Sequence, residues 1–269
     1  DDHNAEYVLQ RRAFETDVRR PRRWLGAAYS WVQWRRLMRY EALVCRRLDR
    51  TVVVSETDRE ALWWIVPGLD MFVIPNGVDS DWYRPQPAEL RSEWAASRNL
   101  VFTGKMDFRP NVDAVLWFVH DILPLIRAEV PDVRFEIVGQ KPHPRVRALS
   151  REPGVVVTGF VEDVRPHIAA AGVYVVPLRM GGGTRLKVME AMAMGAALVS
   201  TAVGCEGFPL VSGRHLVVAD TPPDFAAAAV RLLRDTAERQ RLGREARRFV
   251  EAHCDWKSIV PMFEQVYEG

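Results

Sequence analysis

Runs of four or five mostly apolar residues recur along this chain at 51–54, 71–74, 100–103, 134–138, 155–158, 173–176, 197–201 and 215–219. Runs this short, apolar on both faces and followed by glycine or a helical pattern, predict strands of a parallel sheet covered on both sides. Helical periodicity fills the intervals at 111–129 and 164–171, follows three consecutive glycines at 181–183, and returns from 222, 237 and 256 onward. From 99 on, the regular alternation predicts an α/β fold with a doubly wound parallel sheet.

The first part of the chain reads differently. Residues 7–50 carry a helical pattern in which Trp24, Tyr29, Trp31, Trp34, Leu37, Met38 and Leu43 interleave with Arg20, Arg22, Arg23, Arg35, Arg36 and Arg39. A basic, tryptophan-rich segment at 19–39 suits an anionic membrane surface, and it equally suits packing against more of its own domain. Ser55 with Asp58 three residues on predicts a capped helix start, and Pro75-Asn76-Gly77 predicts a turn. Asp79-Ser80-Asp81 has a metal-binding spacing, but in a turn an aspartate more often bonds its own backbone. The polar, proline-bearing residues 84–98 predict a linker between two domains.

The stretch 175–195 concentrates the candidate chemistry. An apolar strand leads into Gly181, Gly182 and Gly183, then Thr184 as a predicted cap, then a helix with Arg185, Leu186, Lys187 and Glu190. Bare backbone amides at the positive end of a helix form an anion site, and the two cations suit a diphosphate. Glu190 is placed to accept a ribose diol. Gly104-Lys105 with Arg109, Gly139, and Gly159-Phe160 follow other strands of the sheet. Ligands of such sheets bind outside the carboxyl ends of the strands, so one cleft is expected to receive all four loops. Neither a GxGxxG nor a complete P-loop pattern is present.

Charge adds one feature. The net charge is only +2, yet residues 1–50 hold twelve arginines against seven acids, leaving the remainder slightly acidic. Only four of the 37 basic residues are lysines, a bias that does not point to nucleic acid. Three widely spaced cysteines, Cys45, Cys205 and Cys254, offer neither metal spacing nor a disulfide framework, which favours a reduced, cytoplasmic setting. Asp1-Asp2-His3-Asn4 reads as the end of a strand already under way, so an N-terminal part is expected to be missing.

The segments VVVSETDREAL (52–62), VIPNGVDSDWYRP (73–85), NLVFTGKMDFRPNVDAVLWFV (99–119), FEIVG (135–139), VVVTGFVEDVRPHIAAAGVYVVPLRMGGGTRLKVMEAMAMG (155–195) and VSTAVGCEGF (199–208), in that order, resemble family-4 glycosyltransferases of the GT-B fold. They are most similar to bacterial sugar transferases associated with exopolysaccharide and exosortase systems. The resemblance implies two Rossmann-like domains. Residues 1–83 would be the C-terminal part of an incomplete acceptor-side domain, 84–98 a linker, 99–245 the nucleotide-sugar-binding domain, and 246–269 a C-terminal helical arm.

It also implies transfer of a sugar, with retention, from a nucleotide-diphosphate donor to the hydroxyl of a saccharide or lipid-linked saccharide. No obligatory metal or other cofactor is implied, and no nucleic-acid partner. On the family pattern Lys105 steadies the leaving diphosphate, with Arg109 the nearest substitute for a lysine that Pro110 displaces. The backbone of Phe160 and Val161 meets the base, Glu190 binds the ribose, and His3 contacts the transferred sugar. A glutamate expected at position 182 is replaced by Gly182, so hydroxyl recognition would rest on amides of residues 182–184 or on another side chain. The alternatives are a nucleotide-binding fragment without transfer activity and a nucleotide-sugar epimerase. Localisation is expected to be cytoplasmic, at most at the inner face of the membrane. Base, sugar, acceptor and oligomeric state are not legible.

Overall fold

A computed structural model describes residues 6–18, 24–85, 97–181 and 185–268. His3, the triglycine positions 182 and 183, Thr184 and most of the expected linker lie outside the described residues. The chain opens with two helices, α1 (Glu6–Val18) and α2 (Trp24–Cys45), where the sequence predicts a single helical stretch. They pack as an antiparallel hairpin: Phe14 stacks on Trp34 at 6.2 Å, and the Tyr7 amide donates to Glu41. Strand β1 (Thr51–Val53) is joined by α3 (Glu56–Ile65) to a parallel partner, β2 (Met71–Val73). Ser55 caps α3 as expected, its Oγ accepting from the Asp58 amide at 3.1 Å.

The small sheet is covered on both faces, as its unbroken apolar pattern requires. Val53 packs with Cys45, Leu62 and Val66 on one side. On the other, Val52 and Ile74 meet Ile259 and Val266 of the last helix, α11 (Trp256–Glu268), which returns from the far end of the chain.

The second sheet has six parallel strands: β3 (Asn99–Thr103), β4 (Arg134–Val138), β5 (Val155–Gly159), β6 (Val173–Val176), β7 (Leu198–Ser200) and β8 (Val217–Val218). Their spatial order is β5-β4-β3-β6-β7-β8, so the winding reverses between β3 and β6. That is the Rossmann order with its switch point, where ligands of this fold bind. One large core built on these strands includes Phe102, Phe118, Phe135, Tyr174 and Phe225.

After β3, α4 (Arg109–Trp117) continues through a π turn (Phe118–Ile122) into α5 (Leu123–Glu129). Pro124 explains the break, because its ring opposes the carbonyl four residues back and it has no N–H to give; a wider turn relieves both. Between β4 and β5 the structure adds α6 (Pro144–Ala148), capped by His143, where the sequence suggested only a loop. Two short helices complete the crossovers: α7 (Arg165–Ala169) leads to β6 and α8 (Leu186–Ala193) to β7. After β8 come α9 (Pro222–Arg234) and α10 (Thr236–His253).

The segment leaving β2 is tied to the turn between α10 and α11. The Val78 amide donates to the Cys254 carbonyl at 2.8 Å, and the Ser80 amide donates to Asp255. Asp79 binds its own turn, accepting from the amides of Asp81 and Trp82, while Asp81 pairs with Lys257 at 2.6 Å. The Asp-x-Asp spacing is therefore turn chemistry. Among the described residues no three His, Cys, Asp or Glu side chains group to hold a metal.

Candidate functional site

Three glycine loops lie side by side at the carboxyl edge of the larger sheet. The Gly139 amide donates to the Gly159 carbonyl, and the Gly104 amide to Val138. Gly104 and Gly139 approach so closely that a Cβ on Gly139, at φ +151°, would fall 1.7 Å from the Gly104 carbonyl oxygen. Gly181 follows β6, the neighbour of β3, so the four glycine-bearing loops follow four adjacent strands, on either side of the switch point.

Helix α8 brings its cation to this edge. Lys187 Nζ donates to Asn111 Oδ1 at 2.8 Å and stands 4.1 Å from the Phe102 ring centroid. Asn111 in turn donates to the Lys105 carbonyl at 2.9 Å, linking the ammonium to the loop after β3. A Cβ on Gly104 would come within 2.7 Å of Nζ, so the glycine makes room for the lysine. Burial, followed by the nearby Arg185 charge, pulls the Lys187 pKa down to about 7, with Glu190 opposing. An ammonium with three donors and so few acceptors favours an arriving anion.

Lys105 and Arg109, expected to hold the same phosphate, stand on the same loop and at the first residue of α4. Lys105 is more than half exposed and 3.8 Å from Asp107, so Lys187 is the more deeply set charge.

Glu190 is three residues beyond Lys187 on α8, and its Oε1 accepts from the Tyr83 hydroxyl at 3.1 Å. Burial raises the Glu190 pKa, while the Tyr83 hydrogen bond and the Lys187 charge oppose that shift. Burial and the Glu190 charge push the Tyr83 pKa up to about 12. Tyr83 is held by Arg247 of α10, whose Nη1 donates to the carbonyls of Ser80 (2.8 Å), Tyr83 (2.7 Å) and Ala193 (2.6 Å). Arg165 supports the other side, its guanidinium 3.7 Å over the Trp82 ring and paired with Asp163. A mid-helix glutamate that a sequence alone would leave on a solvated face is thus enclosed.

Arg185, not Thr184, holds the cap position of α8, without a side-chain cap bond. Its buried guanidinium lies against Gly181, where a Cβ would meet Nη2 at 2.7 Å. Leu186 is half exposed, and Val161 packs against the core. Phe160 stands out from the β5 edge, 71% exposed.

Sequence reasoning missed Tyr83, Asn111, Arg179, Arg12 and Glu206. Arg179, after β6, forks onto Asp113 at 2.8 and 3.0 Å and fixes α4 against that loop. Arg12 of α1 donates from Nη1 to the Gly181 carbonyl at 2.6 Å and forks onto Glu206 after β7. Only the charge skew of the first fifty residues hinted that this helix meets the cleft.

Residues 97–235 match the family described as Glycosyl transferases group 1. Over 212 residues the chain is 30% identical to the phosphatidyl-myo-inositol mannosyltransferase of Mycobacterium tuberculosis, covering 75% of this chain and 54% of that protein. It is 21% identical over 169 residues to an uncharacterized 44.6 kDa protein of the cps region of Klebsiella pneumoniae, covering 60% of this chain and 44% of the other. The chain thus spans about half the length of the curated relatives it matches. The fold is similar to that of sucrose-phosphate synthase from Thermosynechococcus elongatus, with a TM-score of 0.71 at 22% identity, over 87% of this chain and 61% of the other. It is also similar to that of Anabaena HepE solved in complex with UDP and glucose, with a TM-score of 0.69 at 17% identity, over 86% of this chain and 66% of that one.

Proposed function

Because the chain belongs to the glycosyl transferases group 1 family, we propose that it takes part in moving a sugar from a nucleotide-diphosphate donor to an acceptor hydroxyl with retention at the anomeric carbon. The observation that carries this reading is the pairing of Lys187 and Glu190 on one face of α8, beside the Gly104 edge. Residues three apart on a helix are neighbours, so a cation for the diphosphate stands next to a carboxylate for the ribose diol. Phe160 beyond β5 offers an aromatic face to the base.

Breaking the bond from anomeric carbon to phosphate oxygen leaves negative charge on the phosphate. Lys187, with Lys105 and Arg109 on the opposing loop, stabilises that charge as it develops. The acceptor hydroxyl attacks from the face the phosphate leaves and passes its proton to it, so configuration is kept. On this reading side-chain cations take the role a metal plays elsewhere, and chelator should leave turnover unchanged. The acceptor is a saccharide or lipid-linked saccharide, and His3 remains the residue assigned to the transferred sugar.

The same reading divides the chain into an incomplete acceptor-side domain (1–83), a linker (84–98), the donor domain (99–245) and a C-terminal arm (246–269). The return of α11 onto β1 and β2 supports an arm that closes on the first domain. Among the described residues no helix is long and apolar enough to cross a membrane. A peripheral contact is supported by α2, where Trp24, Leu25, Tyr29 and Trp31 are exposed along with Arg35, Arg36 and Arg39.

A thermal-shift panel of UDP-, GDP- and ADP-sugars tests the reading, since a ligand that binds only the folded chain raises its melting temperature. A concentration-dependent rise with one base supports donor binding. No rise with any of them would refute it.

A further inference from the structure

Between α1 and the larger sheet sits an ionic cluster that the donor reading does not use. Arg12 of α1 reaches across the cleft and donates from Nη1 to the Gly181 carbonyl at 2.6 Å and to Glu206 Oε2 at 2.8 Å, and from Nη2 to Glu206 Oε1 at 2.7 Å. The Glu206 carboxylate is therefore set in the same guanidinium fork as the carbonyl that enters the glycine run. Arg185, lying against Gly181, feels the Glu206 and Asp58 charges as favourable and the Arg12 charge as unfavourable. Glu206 itself keeps about a quarter of its side chain exposed, at 26%.

A carboxylate has about four acceptor positions, and a bidentate arginine fills two. One further acceptor direction on each oxygen of Glu206 is left, and the fork fixes the carboxylate plane. Two acceptors at fixed separation on one carboxylate suit a vicinal diol. Position 182, one residue beyond Gly181, carries no side chain to do this work.

Resting on the sugar-transfer reading above, we infer that Glu206, oriented by Arg12, accepts hydroxyl hydrogens of the sugar moiety of the nucleotide-sugar donor and so discriminates among donor sugars. Glu206 is then a specificity-determining residue supplied from the loop after β7, and Arg12 is its positioning residue. Helix α1 takes part in reading the donor because it carries that arginine.

The test compares affinities by calorimetry for UDP, UDP-glucose, GDP and GDP-mannose in the full chain, in Glu206→Gln and in Arg12→Met. In Glu206→Gln the affinity for the sugar nucleotide relative to its bare diphosphate should fall by at least about tenfold, as loss of hydrogen bonds to a charged group predicts. Affinity for the bare diphosphate should stay within about twofold, which also reports that the variant is folded. Arg12→Met should lower the same ratio by a smaller factor. Glu206→Asp provides a second variant if the glutamine form does not fold, and it should lower the ratio too. An unchanged ratio in Glu206→Gln, or equal losses for diphosphate and sugar nucleotide, would mean that Glu206 only latches α1 to the loop. Failure of the unaltered chain to bind either diphosphate or sugar nucleotide would instead overturn the transfer reading, and this inference with it.

Discussion

Lys187 and Asn111 meet 2.8 Å apart at the carboxyl edge of β3, although 76 residues separate them in sequence. The contact joins the first turn of α8 to the start of α4 and sets an ammonium at the switch point of the sheet. Asn111 has few alternatives there, because its amide also holds the Lys105 carbonyl. The pair fixes where an anion can be neutralised.

Lys187 gives the protein a pH signature. The folded chain releases this proton near 7, whereas the unfolded chain holds it to the ordinary lysine value of 10.5. Between those values the unfolded state binds more protons, so Lys187 makes the ligand-free protein more stable as pH rises across that window and costs it stability below. Melting temperatures measured from pH 7 to 9 should rise for the natural chain relative to Lys187→Met. Parallel curves would contradict the assignment.

Ligand binding should run the opposite way. A diphosphate needs the protonated ammonium, so binding takes up a proton above pH 7 and affinity should fall by up to about tenfold per pH unit. Calorimetry in buffers of different ionisation enthalpy measures that uptake directly. In Lys187→Met both the uptake and most of the affinity should disappear, while Lys105→Ala should leave the uptake in place and lower turnover.

The strands and the glycines after them were legible because a parallel sheet writes its burial locally, as short apolar runs. Lys187 and Glu190 were legible as a spacing on one helix. What supports them was not: Tyr83 lies 107 residues from Glu190, and Arg12 lies 194 from Glu206. Such pairs leave no periodic trace, since each partner alone reads as an ordinary polar residue on a loop or helix. Helix α6 was missed for a local reason, a histidine cap ahead of Pro144 where serine, threonine or aspartate is the usual signal. The cap position of α8 falls on Arg185, whose guanidinium packs on Gly181, and no side-chain cap signal in the sequence marks it.

Glu190 should announce itself through ribose. Glu190→Gln should weaken a nucleoside diphosphate by about tenfold while leaving affinity for its 2′,3′-dideoxy analogue nearly unchanged, because the lost acceptor serves the missing hydroxyls. Tyr83→Phe should have a smaller effect of the same kind, by about 1 kcal/mol, through loss of the 3.1 Å bond that orients the carboxylate. Equal losses for both nucleotides would place Glu190 outside the ribose site.

Gly139→Ala probes the backbone contact between two loops of the cleft. The added methyl would fall 1.7 Å from the Gly104 carbonyl oxygen at a φ of +151°, so the loop after β3 must move. That loop carries Lys105 and the carbonyl bound by Asn111. Stability should drop by about 2 kcal/mol or more on urea denaturation. Nucleotide affinity should fall further than stability alone requires at temperatures where the variant remains folded. A variant with the natural melting point and natural affinity would show that the loops do not share one rigid edge.

The exposed face of α2 allows a test that needs no donor. Leu25 is 91% exposed and Trp24 64%, with Tyr29 and Trp31 beside them and three arginines further along the helix. Aromatic side chains entering the headgroup region and arginines pairing with anionic lipid would bind additively, and only the arginine part is screened by salt. The full chain should co-sediment with phosphatidylglycerol-containing vesicles at low salt and much less with pure phosphatidylcholine. Trp24→Ser with Trp31→Ser should reduce binding at all salt concentrations, whereas Arg35→Gln with Arg39→Gln should reduce it chiefly at low salt. Equal sedimentation with both vesicle types, or none with either, would leave α2 to packing within the protein.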